Sequence, residues 1–190
     1  MRALLAAGGI SLAIALFATP GFIAIFRKLQ WGQFIRDDGP KAHHTKRGTP
    51  TMGGIVILSA AVIGYFSGKF INGETPSASA LLVIFMMLGL GLVGFIDDFL
   101  KVRKQQSLGL SGWAKIAGQG VVATIFAVLA LQFPNRDGLT PASTQISLFR
   151  DLPIDLFIWG SAIGMILFIA WIYLLVASAS NGVNIADGLD

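Results

Sequence analysis

With 190 residues, 54% hydrophobic side chains and only 13% charged ones, the chain is too apolar for a water-soluble globular domain. It has no cysteine, which excludes disulfides and thiolate metal sites. The net charge of +4 is modest, and no nucleic-acid partner is expected from it.

Residues 3–26 are uncharged and mostly apolar, and Pro20 should kink the helix they form. Arg2 precedes this run as in a signal peptide, but the run exceeds the about 7–15 residues of a signal core and reads as a retained first span. A polar loop, 27–51, leads to a second span over 52–68, the weakest of the set because of its length and glycines. The third span, 79–96, is eighteen uncharged residues, enough to cross a hydrocarbon core of about 30 Å. A basic loop follows over 97–115, then a fourth span at 116–133, a polar connection at Pro134–Asp155 and a fifth span at 156–177. The chain ends in a polar segment, 178–190. The expected fold is all-α and polytopic, one membrane domain with five transmembrane helices.

Lysine and arginine sort by loop. The first and third loops hold six and four, against one in the N-terminal tail, one in the second loop and two in the fourth. The positive-inside rule therefore predicts an outside N-terminus, with 27–51, 97–115 and 178–190 in the cytoplasm. All three polar motifs then fall on one membrane face.

Each motif has a chemistry and a bland alternative. In the first loop, Lys41, Lys46 and Arg47 precede Gly48-Thr49-Pro50-Thr51-Met52-Gly53-Gly54, which combines cations, hydroxyls and an open backbone at a helix start. Such groups bind phosphate, although an ordinary positive-inside loop has the same composition. Neighbouring His43 and His44 point in different directions on a helix and have no third metal ligand nearby. In the second motif, Asp97 and Asp98 end the third span with Lys101 one turn on. Anions are disfavoured at a helix C-terminus, and ionised groups near membrane depth are expensive and mark function. The two carboxylates lie about 100° apart around a helix, so they should divide the work, one facing a cavity and the other meeting Lys101 or a metal-bound water. Carboxylates of this kind suit Mg²⁺ shared with substrate phosphates. In the third motif, Asn181, Asn184, Asp187 and Asp190 recur every three residues and would form a polar stripe if helical; the alternative is a solvated helix end.

The residues Gln33-Phe34-Ile35-Arg36-Asp37-Asp38-Gly39-Pro40 and His44 through Gly54 closely resemble the first cytoplasmic loop of the bacterial phospho-N-acetylmuramoyl-pentapeptide transferase family. Asp97-Asp98-Phe99-Leu100-Lys101 is similar to that family's DDxxK motif, and Asn181 to Asp190 to its NxxNxxDGxD motif, in the same order. The resemblance implies Mg²⁺-dependent transfer of phospho-N-acetylmuramoyl-pentapeptide from UDP-N-acetylmuramoyl-pentapeptide to undecaprenyl phosphate, giving lipid I and UMP at the bacterial inner membrane. It implies that Asp97 deprotonates or orients the lipid phosphate and that Asp98 lies near the metal and diphosphate. Lys46, Thr51, Lys101, Asn181, Asn184, Asp187 and Asp190 would hold substrate, and Asp98 and Asp187 would be the metal candidates of this chain. A homodimer in the lipid bilayer is a further implied partner. The family has about ten spans and its main metal aspartate in its second half, so the chain is expected to be an N-terminal half, inactive by itself. Two rival readings are a related UDP-N-acetylglucosamine:polyprenyl-phosphate transferase and a membrane transporter; against the latter, the charges cluster at one face rather than at the midplane.

Overall fold

A computed structural model describes residues 1–32, 49–106, 108–147 and 150–187, the last four of these by backbone alone. Five helices carry the architecture: α1 (Arg2–Lys28), α2 (Gly54–Ile71), α3 (Ala78–Lys104), α4 (Gly112–Ala130) and α5 (Ser161–Asp187). All five are long and apolar enough to cross a membrane, and large side chains such as Leu12, Phe17, Leu92 and Ile166 face outward along them. The chain is a polytopic helical membrane protein.

The helices overrun the apolar runs of the sequence. α3 does not stop at residue 96 but continues through Lys104, so Asp97, Asp98 and Lys101 stand on helix rather than in a loop. Lys101, Arg103 and Lys104 fill its last turn, where the negative end of the helix dipole favours cations. α5 starts at Ser161 rather than 156 and carries the polar residues 178–187 as continuous helix. Between α4 and α5 the structure adds a hairpin of β1 (Gln145–Ser147) and β2 (Asp151–Asp155), antiparallel with Gln145 opposite Asp155.

The described residues form two compact units. The first comprises Met1–Pro76 and Leu90–Lys115, the second Ser77–Gly89 and Ile116–Asp190. In the first unit α1 and α2 meet along small residues. A side chain at Gly64 would strike Ser11 and the Ala7 carbonyl, and one at Gly68 would lie 2.7 Å from the Ala3 carbonyl and 2.8 Å from Ala7 Cβ. Lipid tails supply no hydrophobic drive between helices, so this close approach is what holds them. Gly64→Val should therefore cost about 1–3 kcal/mol through overpacking. A lower thermal unfolding midpoint in detergent is the expected reading, and an unchanged midpoint would discard this contact as a determinant of stability.

The exits of α1 and α3 share one construction. At α1, Gln30 takes a left-handed φ of 58°, Gln30 N–H donates to the Arg27 carbonyl and Trp31 N–H to that of Phe26. At α3, Gln105 has φ 51°, with Gln105 N–H on the Val102 carbonyl and Gln106 N–H on that of Lys101. Both are Schellman closures, which satisfy the last carbonyls and reverse the chain. Phe26, Met52 and Val102 form a buried cluster with Phe22, Trp31, Phe95 and Phe99 packed around it. It joins the end of α1, the entry to α2 and the last turns of α3, and so steadies the segment that carries the aspartates.

Candidate functional site

The end of α3 gathers four charged side chains. Asp97, Asp98 and Lys101 occupy positions i, i+1 and i+4 of one helix, and the Lys101 ammonium bridges both carboxylates, 2.7 Å from Asp97 Oδ2 and 2.9 Å from Asp98 Oδ1. The two aspartates thus share one lysine rather than dividing it, because a long flexible side chain spans the angle between them. They differ in exposure. The Asp97 side chain is 10% exposed and that of Asp98 39%.

Asp97 is held from a second direction. After the reversal at Gln105 the chain returns, and Leu110 N–H donates to Asp97 Oδ1 at 2.7 Å. Ser111 then caps α4, its Oγ accepting from Ala114 N–H at 3.2 Å. This cap places Lys115 on the first turn of α4, where its Nζ lies 3.0 Å from Asp97 Oδ1. A cation near a helix N-terminus opposes the dipole; the ion pair with Asp97 supplies its counter-charge. Gly109 lets the loop come this close, because a Cβ there would lie 2.5 Å from the Asp97 carbonyl oxygen and 2.7 Å from its carboxyl carbon.

Lys115, Gly109 and Leu110 were not among the sequence-derived site residues. The signals that could have found them are Ser111 as a helix cap, which sets where Lys115 falls, and an isolated glycine beside it.

The base of the first polar loop also belongs to this unit. Gly32 and Pro50 form an antiparallel bridge, and Thr51 N–H donates to the Trp31 carbonyl at 3.4 Å. Met52 has a left-handed φ of 66° yet is buried in the cluster against Val102. Strained non-glycine backbone of this kind persists where the surroundings over-determine it, often at ligand sites. The Thr51 hydroxyl is buried and has no hydrogen-bond partner among the described residues, a vacancy that usually costs about 1–3 kcal/mol. Lys46 lies outside the described residues, as does Asp190. Asn181 is half-buried on α5; Asn184 and Asp187 are placed by backbone only, on the same helix. These residues belong to the second unit.

The residues at hand fit a divalent ion in one mode. Among the described residues no group of three His, Cys, Asp or Glu side chains could enclose a metal. Asp97 is committed to three donors, whereas Asp98 is the more open carboxylate and contacts a single lysine among the described residues. One carboxylate with water and substrate phosphates is a common Mg²⁺ arrangement, and Asp98 suits it.

The profile described as glycosyl transferase family 4 matches residues 80–190, and phospho-N-acetylmuramoyl-pentapeptide-transferase signature 1 matches residues 46–58. A Clavibacter sepedonicus phospho-N-acetylmuramoyl-pentapeptide-transferase is 66% identical over 196 residues, covering 100% of this chain and 53% of that protein. Proteins of the same name from Kineococcus radiotolerans and Streptomyces avermitilis are 54% and 50% identical, again over 100% of this chain and over 53% and 51% of theirs. The chain spans about half the length of the curated relatives it matches.

Proposed function

The chain belongs to glycosyl transferase family 4, and from that premise we propose that the encoded protein transfers phospho-N-acetylmuramoyl-pentapeptide from UDP to undecaprenyl phosphate, forming lipid I and UMP for peptidoglycan synthesis. The observation that carries this reading is the cluster of Asp97, Asp98, Lys101 and Lys115 at the end of a membrane-spanning helix. The signature at residues 46–58 favours the muramoyl-pentapeptide donor over other sugar phosphates.

In the net reaction an oxygen of the lipid phosphate bonds to the β-phosphorus of the UDP-sugar. The bond from that phosphorus to the bridging oxygen breaks, and UMP leaves with the electron pair. Charge neutralisation and positioning carry most of such a transfer. Asp97, fixed by Lys101, Lys115 and Leu110 N–H, is the group that acts on the lipid phosphate. Asp98 faces the diphosphate, and Lys101, between the two carboxylates, is close enough to both to share its charge with an incoming phosphate. Asp98 is the residue that would hold Mg²⁺, with Asp187 as a separate candidate, and the ion would supply charge neutralisation to the diphosphate. Lys46, Thr51, Asn181, Asn184 and Asp190 are the further substrate-binding residues, and the orphan Thr51 hydroxyl supports its part in this. The site faces the cytoplasm from the bacterial inner membrane, with the N-terminus outside, in keeping with the loop charges.

The test uses the complete encoded polypeptide in detergent–lipid micelles. UDP-N-acetylmuramoyl-pentapeptide and undecaprenyl phosphate should give UMP and a lipid-soluble product, falling about 10²-fold or more with excess EDTA and returning with added Mg²⁺. Equal turnover of UDP-N-acetylglucosamine would refute the donor assignment.

A further inference from the structure

Asp97 and Gln119 are the two buried polar or charged residues among those described, and the cluster on α3 accounts for only the first. Gln119 lies on α4, in line with Ala123, Ala127 and Ala130, which are fully buried on the same helix. Its Nε2 donates to Ser180 Oγ on α5 at 2.6 Å. Its Oε1 is buried with no hydrogen-bond partner among the described residues. One residue along, a Cβ at Gly120 would sit in ordinary van der Waals contact with the Tyr173 ring at 3.7 Å, so the two helices are neighbours here as well.

Stability is a poor reason for this amide. A hydrogen bond between membrane helices contributes little to stability, whereas an unpaired buried carbonyl costs at least as much. A leucine or methionine would fill similar space without the unpaired oxygen. What an amide does that they do not is fix direction. Ser180 immediately precedes Asn181, and positions 180, 184 and 187 share one face of a continuous helix. A helix turns about 100° per residue, so anchoring Ser180 anchors the rotation and axial register of the positions that follow.

We propose that Gln119 is a positioning residue which, through Ser180, sets the rotation of α5 and so presents its polar stripe to the nucleotide part of the donor. This rests on the reading of Asn181, Asn184 and Asp187 as the nucleotide wall. The clasp acts on donor binding and leaves the lipid acceptor alone.

The experiment uses the complete polypeptide. Gln119→Met should raise KM for UDP-N-acetylmuramoyl-pentapeptide about tenfold, with kcat and the KM for undecaprenyl phosphate little changed. Ser180→Ala should do the same, and the double variant should be no worse than either single one. A merely structural loss would lower the amount of active enzyme and leave both KM values in place, and that result overturns the proposal. A second readout does not need turnover. Val121 on α4 and Val183 on α5 are both exposed, and spin labels on cysteines introduced there report the helix pair by electron–electron distance. Gln119→Met should broaden or displace that distance distribution, and an unchanged distribution overturns the proposal. If the unsubstituted protein does not use the muramoyl donor, the reading of the reaction fails, and the label distance by itself decides whether the clasp sets α5.

Discussion

Under the proposed function, replacing Asp97 by asparagine is expected to lower transfer by about 10²–10⁴-fold, the range for losing a single acid–base or electrostatic group. The substitution is nearly isosteric and keeps an oxygen able to accept from Leu110 N–H, so the loop should stay in place. What disappears is the negative charge between the Lys101 and Lys115 ammonium groups, each within 3.0 Å of a carboxylate oxygen. Release of UMP per mole of monodisperse protein is the measurement. Activity within about threefold of the unsubstituted enzyme would remove Asp97 from the chemistry.

The second large effect falls on a residue with no side chain. Gly109→Val should lower kcat by about 10²-fold, the penalty for displacing a reacting group by about 1 Å. A Cβ at this position would lie 2.5 Å from the Asp97 backbone oxygen, and neither that oxygen nor the helix behind it can move away cheaply. The loop must retreat instead, taking Leu110 N–H with it and loosening the approach of Lys115. Donor and acceptor KM should change little, since the aspartate is moved rather than the substrate-binding groups. Gly109→Ala, which already carries the clashing Cβ, should show much of the same fall, and kcat left unchanged by both substitutions would argue against steric displacement.

Much of this molecule was legible as sequence. Long uncharged runs dictate the five helices, because only helices satisfy the backbone in hydrocarbon. The pairing of Asp97 with Lys101 follows from i, i+4 spacing. The helix ends were not legible, because polar residues such as those at 97–104 and 178–187 are compatible with helix once an apolar span has nucleated it. The hairpin at 145–155 was missed because its strands are three and five residues long and the second contains Pro153. Lys115 and Gly109 reach Asp97 only through the reversal after α3, and that reversal is made by Gln105, a residue type that does not announce a left-handed turn.

The cluster at the end of α3 is electroneutral. Two carboxylates and two ammonium groups cancel formally, and Asp97 sits in the centre of that balance. Within these four residues both ammonium groups are already matched by carboxylates, so on the proposed reading a phosphate entering here would bring negative charge that the cluster itself does not offset. On the proposed reading, Asp98 would hold a divalent ion only together with the substrate diphosphate, and such an ion would supply the charge that the cluster lacks. A permanently cationic pocket would hold its anionic product more tightly than turnover allows; a balanced one lets the product go.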